Sequence, residues 1–78
     1  FNPEAHVDSI MHETVIQQEI NKLSPKFREV IILRDVQEMS YEEIATILRI
    51  PIGTVKSRVN RARLRLQSQL QEHLKLDD

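Results

Sequence analysis

Cysteine and tryptophan are absent from this chain, and glycine occurs only once, at Gly53. Without cysteine, a disulfide framework and a zinc site built on thiolates are both excluded, and the composition suits a reducing cytoplasm. No apolar run approaches the roughly 20 residues that span a bilayer, and no signal peptide opens the chain, so we expect no membrane insertion. With 78 residues, 40% of them apolar and 29% charged, residues 1–78 are expected to form one small globular domain. Because the first residue is Phe1, we also expect a fragment of a longer protein.

Acidic side chains are missing from one long stretch, residues 49–71. This stretch carries six Lys and Arg residues, although the whole chain has 11 basic and 12 acidic residues and a net charge of −1. Residues 1–48 carry four basic residues against nine acidic ones. Because binding of a polyanion depends on the local field rather than on the net charge, residues 49–71 are a candidate nucleic-acid interface.

Alternating strand patterns and turn pairs are also lacking, so the sequence predicts an all-α fold. Proline and capping signals divide the chain into a small domain of four helices without winged elements. The expected helices run from Pro3 or Glu4 to Lys22, from Pro25 to about Val36, from Tyr41 to Leu48, and from residues 51–54 to about Leu74. The start of the last helix stays open, because Pro51 and Thr54 both occur at helix boundaries.

The second helix has an unusual distribution of apolar residues. Ser24 is expected to cap it and Pro25 to occupy its first position. Its apolar residues surround most of its circumference: Phe27, Val30, Ile31, Ile32, Leu33 and Val36. A helix that is apolar on nearly every side is either central to the domain or covered by a partner.

A short third helix, a tight turn and a longer fourth helix predict a helix-turn-helix at about residues 41–66. Ser40 and Glu43 form a capping-box pattern at the start of the third helix. On the fourth helix, one seam is apolar and is expected to pack inward: Val55, Val59, Ala62, Leu66 and Leu70.

The opposite face of the fourth helix presents Ser57, Asn60, Arg61 and Leu64. In a helix-turn-helix, the second helix enters the major groove, where Arg61 could contact guanine and Asn60 could contact adenine or a neighbouring base edge. The basic residues that flank this face are expected to contact phosphates: Lys56, Arg58, Arg63 and Arg65. This interpretation does not explain Leu64.

Other interpretations of the basic face are a solvated surface and a helix that binds a membrane or a calmodulin-like partner. The turn spacing, the apolar seam and the basic face agree with one another and favour DNA. His6 and His12 share no helix face and His73 is remote in sequence, so without cysteine no metal site is expected. The Glu42–Glu43 pair is explained by capping, and neither a nucleophile nor a phosphate-binding loop accompanies it. We therefore expect no enzyme, no cofactor and no small-molecule substrate.

The segment LSPKFREVIILRDVQEMSYEEIATILRIPIGTVKSRVNRARLRL resembles region 4, the C-terminal domain of bacterial RNA polymerase sigma factors, and within them the extracytoplasmic-function (ECF) group. Three blocks carry the resemblance in the family's order and spacing: Leu23-Ser24-Pro25 with Arg28-Glu29-Val30, Ser40 to Ala45, and Pro51 to Arg63. The resemblance covers residues 23 to about 70.

The resemblance implies a protein that binds the −35 element of double-stranded promoter DNA in the bacterial cytoplasm, associated with the nucleoid. The positions that correspond to base contacts are Lys56, Ser57, Asn60 and Arg61. The positions that correspond to contacts with the DNA backbone or the groove wall are Arg34, Tyr41, Thr54, Arg58 and Arg63. The resemblance further implies docking to the β flap of core RNA polymerase, with Ile32, Leu33 and Val36 as candidates, and binding of an anti-sigma factor to the same surfaces.

Two alternatives remain at this point. The DNA-binding domain of LuxR-type response regulators shares the L-S-x-x-x-R-E-V opening and the T-V-K of the last helix, but it usually continues with His, where this chain has Ser57-Arg58. The second alternative is a module that chiefly binds protein, such as an anti-sigma factor, through the second helix.

Overall fold

The computed structural model describes residues 15–76, and every regular element in that range is helical. Helix α1 occupies positions 15–21, α2 runs over Pro25–Ile31, α3 over Tyr41–Leu48 and α4 over Ile52–Leu76. The all-α prediction is confirmed. The predicted start of the first helix near Pro3 lies outside the described residues. Among the helices of residues 15–76, none combines the length and the apolar content needed to cross a membrane.

The core lies where α4 packs against α2 and α3. All four helices and the α1–α2 turn contribute buried side chains: Ile20, Leu23, Val30, Ile31, Ile44, Val55, Val59 and Ala62. Full burial of one aliphatic side chain contributes about 1.5–3 kcal/mol, so this cluster is the main source of stability. Leu66 packs against the cluster while half-buried. The apolar seam predicted for the last helix therefore faces inward from Val55 to Leu66, while Leu70 is half-buried beyond the cluster.

Helix α2 begins at Pro25 as predicted, but its cap and its C-terminal part differ from the prediction. It was expected to be regular to about Val36, but it changes to a π-helical turn over Ile32–Val36. At its start, Ser24 has the extended backbone of an N-cap, yet its side chain makes no capping hydrogen bond. The Ser24 carbonyl instead accepts from the backbone N–H groups of Phe27, at 3.0 Å, and Arg28, at 2.9 Å. The Phe27 N–H, which a Ser24 hydroxyl cap would bind, is therefore already paired with the Ser24 carbonyl.

Hydrogen bonds cap the first turns of both helices of the helix-turn-helix. The Ser40 hydroxyl accepts from the Glu43 N–H at 3.1 Å, and the Glu43 carboxylate accepts from the Ser40 N–H at 3.2 Å, as the capping-box pattern predicts. Arg49 ends α3 in the left-handed region, at φ 58°. The Pro51 carbonyl then accepts from the N–H groups of Thr54 and Val55. Pro51 thus caps α4, whose first residue is Ile52.

A buried carboxylate links α1 to the distal part of α4. Glu19 is only 5% exposed. Its carboxylate accepts from Lys22 Nζ at 2.9 Å and from Gln69 Nε2 at 3.1 Å, and its backbone carbonyl accepts from the same Gln69 nitrogen at 2.8 Å. The Lys22 and Gln69 hydrogen bonds, in that order, lower the pKa of Glu19 from its ordinary value of 4.5. The ionised carboxylate is therefore the form that holds the two helices together.

Candidate nucleic-acid interface

Helix α4 has one fully buried face and one exposed basic face. Val55, Val59 and Ala62 have no solvent exposure. The four positions predicted to contact bases are all exposed on this helix: Lys56, Ser57, Asn60 and Arg61. The Ser57 hydroxyl donates to the Thr54 carbonyl at 3.2 Å, so its lone pairs remain available to accept a hydrogen bond from a base edge.

Tyr41 is the first residue of α3, and two of the cationic side chains predicted to contact DNA lie against its ring. The guanidinium carbon of Arg34 lies 4.8 Å from the ring centroid, and Lys56 Nζ lies 5.9 Å from it. Cation–π contacts of this kind contribute roughly 0.5–1 kcal/mol at exposed sites. Three residues that are distant in sequence thus form one wall beside the exposed face of α4, which we call the Tyr41 wall.

Arg34 is anchored within the domain rather than extended into solvent. Its Nη1 donates to the Met39 carbonyl at 2.9 Å, which ties the π-helical turn to the loop before α3. Its Nε is buried and has no hydrogen-bond partner among the described residues. Sequence reasoning expected a DNA-backbone contact here. That contact remains a prediction.

Arg63 forms an ion pair that the sequence did not predict. Its Nε donates to Asp35 Oδ2 at 3.1 Å, and its Nη2 donates to Asp35 Oδ1 at 2.6 Å. The Asp35 hydrogen bond is the main cause that raises the pKa of Arg63, and the Tyr41 hydroxyl contributes to the same rise. Arg63 therefore lies at the edge of the Tyr41 wall, with its guanidinium held by the π-helical turn.

Arg61 and Leu64 line a shallow groove on the exposed side of α4, together with Phe27, Arg65 and Ser68. Leu64 is 66% exposed. The residue that the DNA interpretation did not explain is therefore the exposed apolar wall of a groove that also contains Arg61. The remaining two predicted groove-wall residues, Thr54 and Arg58, are half-buried on α4.

Comparison with known proteins identifies the family. Residues 13–66 match the family described as Sigma-70, region 4. The chain belongs to the sigma-70 region 4 family. Its relatives are ECF sigma factors, so it falls in the ECF group, as the sequence resemblance predicted. The family match decides against a LuxR-type regulator. The family consists of transcription factors rather than catalysts.

Relatives of this region 4 are ECF sigma factors of several bacteria. It is 47% identical over 70 residues to the ECF RNA polymerase sigma factor SigW of Bacillus subtilis, covering 90% of this chain and 37% of that protein. It is 40% identical over 58 residues to the ECF sigma factor SigE of Mycolicibacterium smegmatis, covering 74% of this chain and 23% of that protein. The chain thus spans about a quarter to two fifths of the length of these relatives.

A solved structure shares the fold of this region 4. The sigma factor RpoE of Bartonella quintana, crystallised with the anti-sigma factor NepR, superposes with a TM-score of 0.68 at 48% identity. The superposition covers 72% of this chain and 35% of that one.

The apolar residues predicted to meet core polymerase differ in exposure within this region 4. Ile32 and Leu33 are half-buried and pack against the core cluster. Val36, the last residue of the π-helical turn, is 59% exposed. Of the three, Val36 has the most side-chain surface available to a partner.

Metal binding has no support in the described part of region 4. No group of three or more His, Asp or Glu side chains within residues 15–76 could hold a metal ion. His6 and His12 lie outside the described residues, and His73 is half-buried on α4.

Proposed function

We propose that this region 4 recognises the −35 element of bacterial promoters by inserting the exposed face of α4 into the major groove. The observation that carries the proposal is the division of one helix into two faces. Val55, Val59 and Ala62 fix α4 to the domain without any solvent exposure, and the opposite face presents exposed basic and polar side chains. A helix mounted in this way can enter a groove without losing its own packing.

Each exposed side chain has a distinct role in this proposal. Arg61 contacts guanine through O6 and N7, and Asn60 pairs with adenine or a neighbouring base edge. Ser57, which is short, accepts a hydrogen bond where the helix is closest to the bases. Lys56 reaches the edge of a base from the Tyr41 wall.

Phosphate contacts position the helix but carry no sequence information. Arg58 and Thr54 lie on α4 at the groove wall, while Tyr41 and Arg34 meet the backbone from the Tyr41 wall. Arg63 and Arg65 add charge further along α4. Residues 49–71 hold six basic and no acidic side chains. Asp35 pairs with one of the six, Arg63, so the local field at this face is still dominated by basic groups.

The test is selection from randomised duplexes followed by titration. The chain is used to enrich duplexes from a random pool, and affinity for the enriched sequence and for a scrambled one is then measured at several salt concentrations. We expect tighter binding of the enriched duplex at every concentration, and a linear fall of log affinity with log salt for both. If both duplexes bind equally tightly throughout, sequence-specific recognition is wrong.

Docking to the β flap of core RNA polymerase is a second part of the proposal. Val36 offers an exposed apolar side chain at the end of the π-helical turn, beside the half-buried Ile32 and Leu33. An exposed apolar residue joined to the core in this way suits a protein contact. Promoter binding and polymerase docking would together place this domain in transcription initiation in the cytoplasm, at the nucleoid.

An anti-sigma factor is a further proposed partner. The RpoE chain of Bartonella quintana, 48% identical to this one, was crystallised with the anti-sigma factor NepR. The exposed Arg61 and Leu64 would provide charge and apolar area for a protein that competes with DNA.

A further inference from the structure

The Asp35–Arg63 pair joins the π-helical turn to the middle of α4, across 28 positions of sequence. Both Asp35 oxygens are used: Oδ2 accepts from Arg63 Nε and Oδ1 accepts from Nη2. The two side chains are 38% and 45% exposed, so the pair lies at the surface beside the Tyr41 wall. Side-chain surface pairs contribute little to stability in general. The arrangement of the donors therefore matters more than the energy of the pair.

A guanidinium carries five N–H donors in one plane. Asp35 binds the side edge, formed by Nε and one hydrogen of Nη2. The end edge is formed by Nη1 and the second hydrogen of Nη2, and no hydrogen bond from it to Asp35 is present. Within residues 15–76, the Tyr41 hydroxyl is the other polar group that acts on this guanidinium. This free edge is a planar fork of the shape that matches two oxygens of a phosphate. Asp35 leaves uncovered the part of Arg63 that a phosphate would use.

We propose that Asp35 is a positioning residue that holds Arg63 so that its free edge contacts a DNA phosphate. The inference rests on the proposed DNA binding of α4 and adds to it a residue that carries the wrong charge for a DNA contact. An arginine side chain loses rotamer freedom when it binds a phosphate, and Asp35 imposes that loss before DNA arrives. The cost is one negative charge near the phosphates, which is offset because the charge is shared with Arg63.

A double-mutant cycle separates this role from simple charge removal. The four proteins are the unsubstituted chain, Asp35→Asn, Arg63→Gln and the double variant, and their affinities for one duplex are measured at a single salt concentration. The Asp35 charge is removed in two of the four proteins. Its general effect on DNA affinity therefore cancels when the loss caused by Arg63→Gln is compared between the two backgrounds. We expect Arg63→Gln to weaken binding about tenfold in the unsubstituted chain and about twofold or less in the Asp35→Asn chain.

Two results would overturn the inference. Equal losses from Arg63→Gln in both backgrounds would mean that Asp35 does not act on DNA binding through Arg63. A larger loss in the Asp35→Asn background would mean that Asp35 masks Arg63 instead of positioning it. Urea unfolding of all four proteins provides the structural readout, since a pair that only stabilises the fold would couple in unfolding and not in DNA affinity. If Asp35→Asn does not fold, Asp35→Ser replaces it with the same expected outcomes.

The same titrations keep this inference separate from the proposed function. A scrambled duplex is measured beside the enriched one for each protein. If the unsubstituted chain does not distinguish the two duplexes, sequence-specific recognition fails. The Asp35–Arg63 coupling remains measurable in that case, because a phosphate contact contributes to binding of any sequence.

Discussion

Arg61 is the residue whose loss should change sequence preference most. We expect Arg61→Ala to weaken binding of the enriched duplex by about 1–3 kcal/mol and to relax preference at one base pair. Lys75→Ala is the matched control, because Lys75 is also exposed on α4 but lies in its last turn, roughly 20 Å along the axis. Titration of both variants on enriched and scrambled duplexes checks this. Equal effects of the two substitutions would show that Arg61 contributes charge alone.

Glu19 should make stability depend on pH. Its pKa is lowered in the folded state by Lys22 and Gln69, so its contribution is fully present above the ordinary value and is lost as pH falls through the lowered one. Glu19→Gln has no such charge to lose. The melting temperature of the unsubstituted chain should therefore fall relative to that of Glu19→Gln as pH drops below about 4.5. Parallel curves from neutral to acid pH would contradict this.

Pairs of distant residues were the least predictable features at this scale. Asp35 and Arg63 are 28 positions apart, and Glu19 and Gln69 are 50 apart. In the sequence, each of these residues resembles an ordinary surface side chain, because periodicity assigns a face but not a partner on another helix. Only the packed fold brings their atoms together.

At the scale of elements, the capping box of α3 should contribute measurably to stability. Ser40→Ala removes the acceptor for the Glu43 N–H, and losses at such caps are typically about 1 kcal/mol. Ser68→Ala is the control, since Ser68 is exposed in the middle of α4 and caps no helix. Urea unfolding at neutral pH measures both. Identical midpoints for the two variants would show that the cap is dispensable.

Helix starts were more predictable than helix irregularities. The Ser-x-x-Glu pattern gave the first residue of α3, because that spacing serves two backbone N–H groups at once. The π-helical turn was not predicted, since it keeps the apolar pattern of a regular helix. Arg49 and Glu38 both adopt positive φ angles, of 58° and 57°. Positive φ angles are usually found at glycine or asparagine, so the sequence did not predict the backbone geometry of these two turns.

At the scale of the whole molecule, the DNA face and the polymerase face should be separable. Val36→Asn is expected to lose binding to the isolated β flap of RNA polymerase, because it places a polar amide in an apolar contact. Affinity for DNA should change less than about twofold, because the substitution adds no charge beside Asp35 and Arg63. Leu74→Asn is the matched control, since Leu74 is 65% exposed near the end of α4. Pull-down on immobilised flap checks this. Equal retention of both variants would exclude Val36 from the docking surface.

The division of charge explains how a chain of net charge −1 can bind DNA. The six basic residues of positions 49–71 lie at the turn or on α4. Most of the acidic residues within positions 15–76 lie on the other helices. Composition and helical periodicity were sufficient to locate this face. They could not show that Arg34 and Arg63 are held by groups of the domain itself.

The most direct test of the central claim is a scan of the enriched duplex with 7-deazaguanine, which removes the N7 acceptor from one guanine at a time in the major groove. We predict that one substitution weakens binding of the unsubstituted chain by about tenfold and leaves binding of Arg61→Ala unchanged. If every substituted duplex binds the unsubstituted chain as tightly as the unmodified one, α4 does not read guanine in the major groove through Arg61.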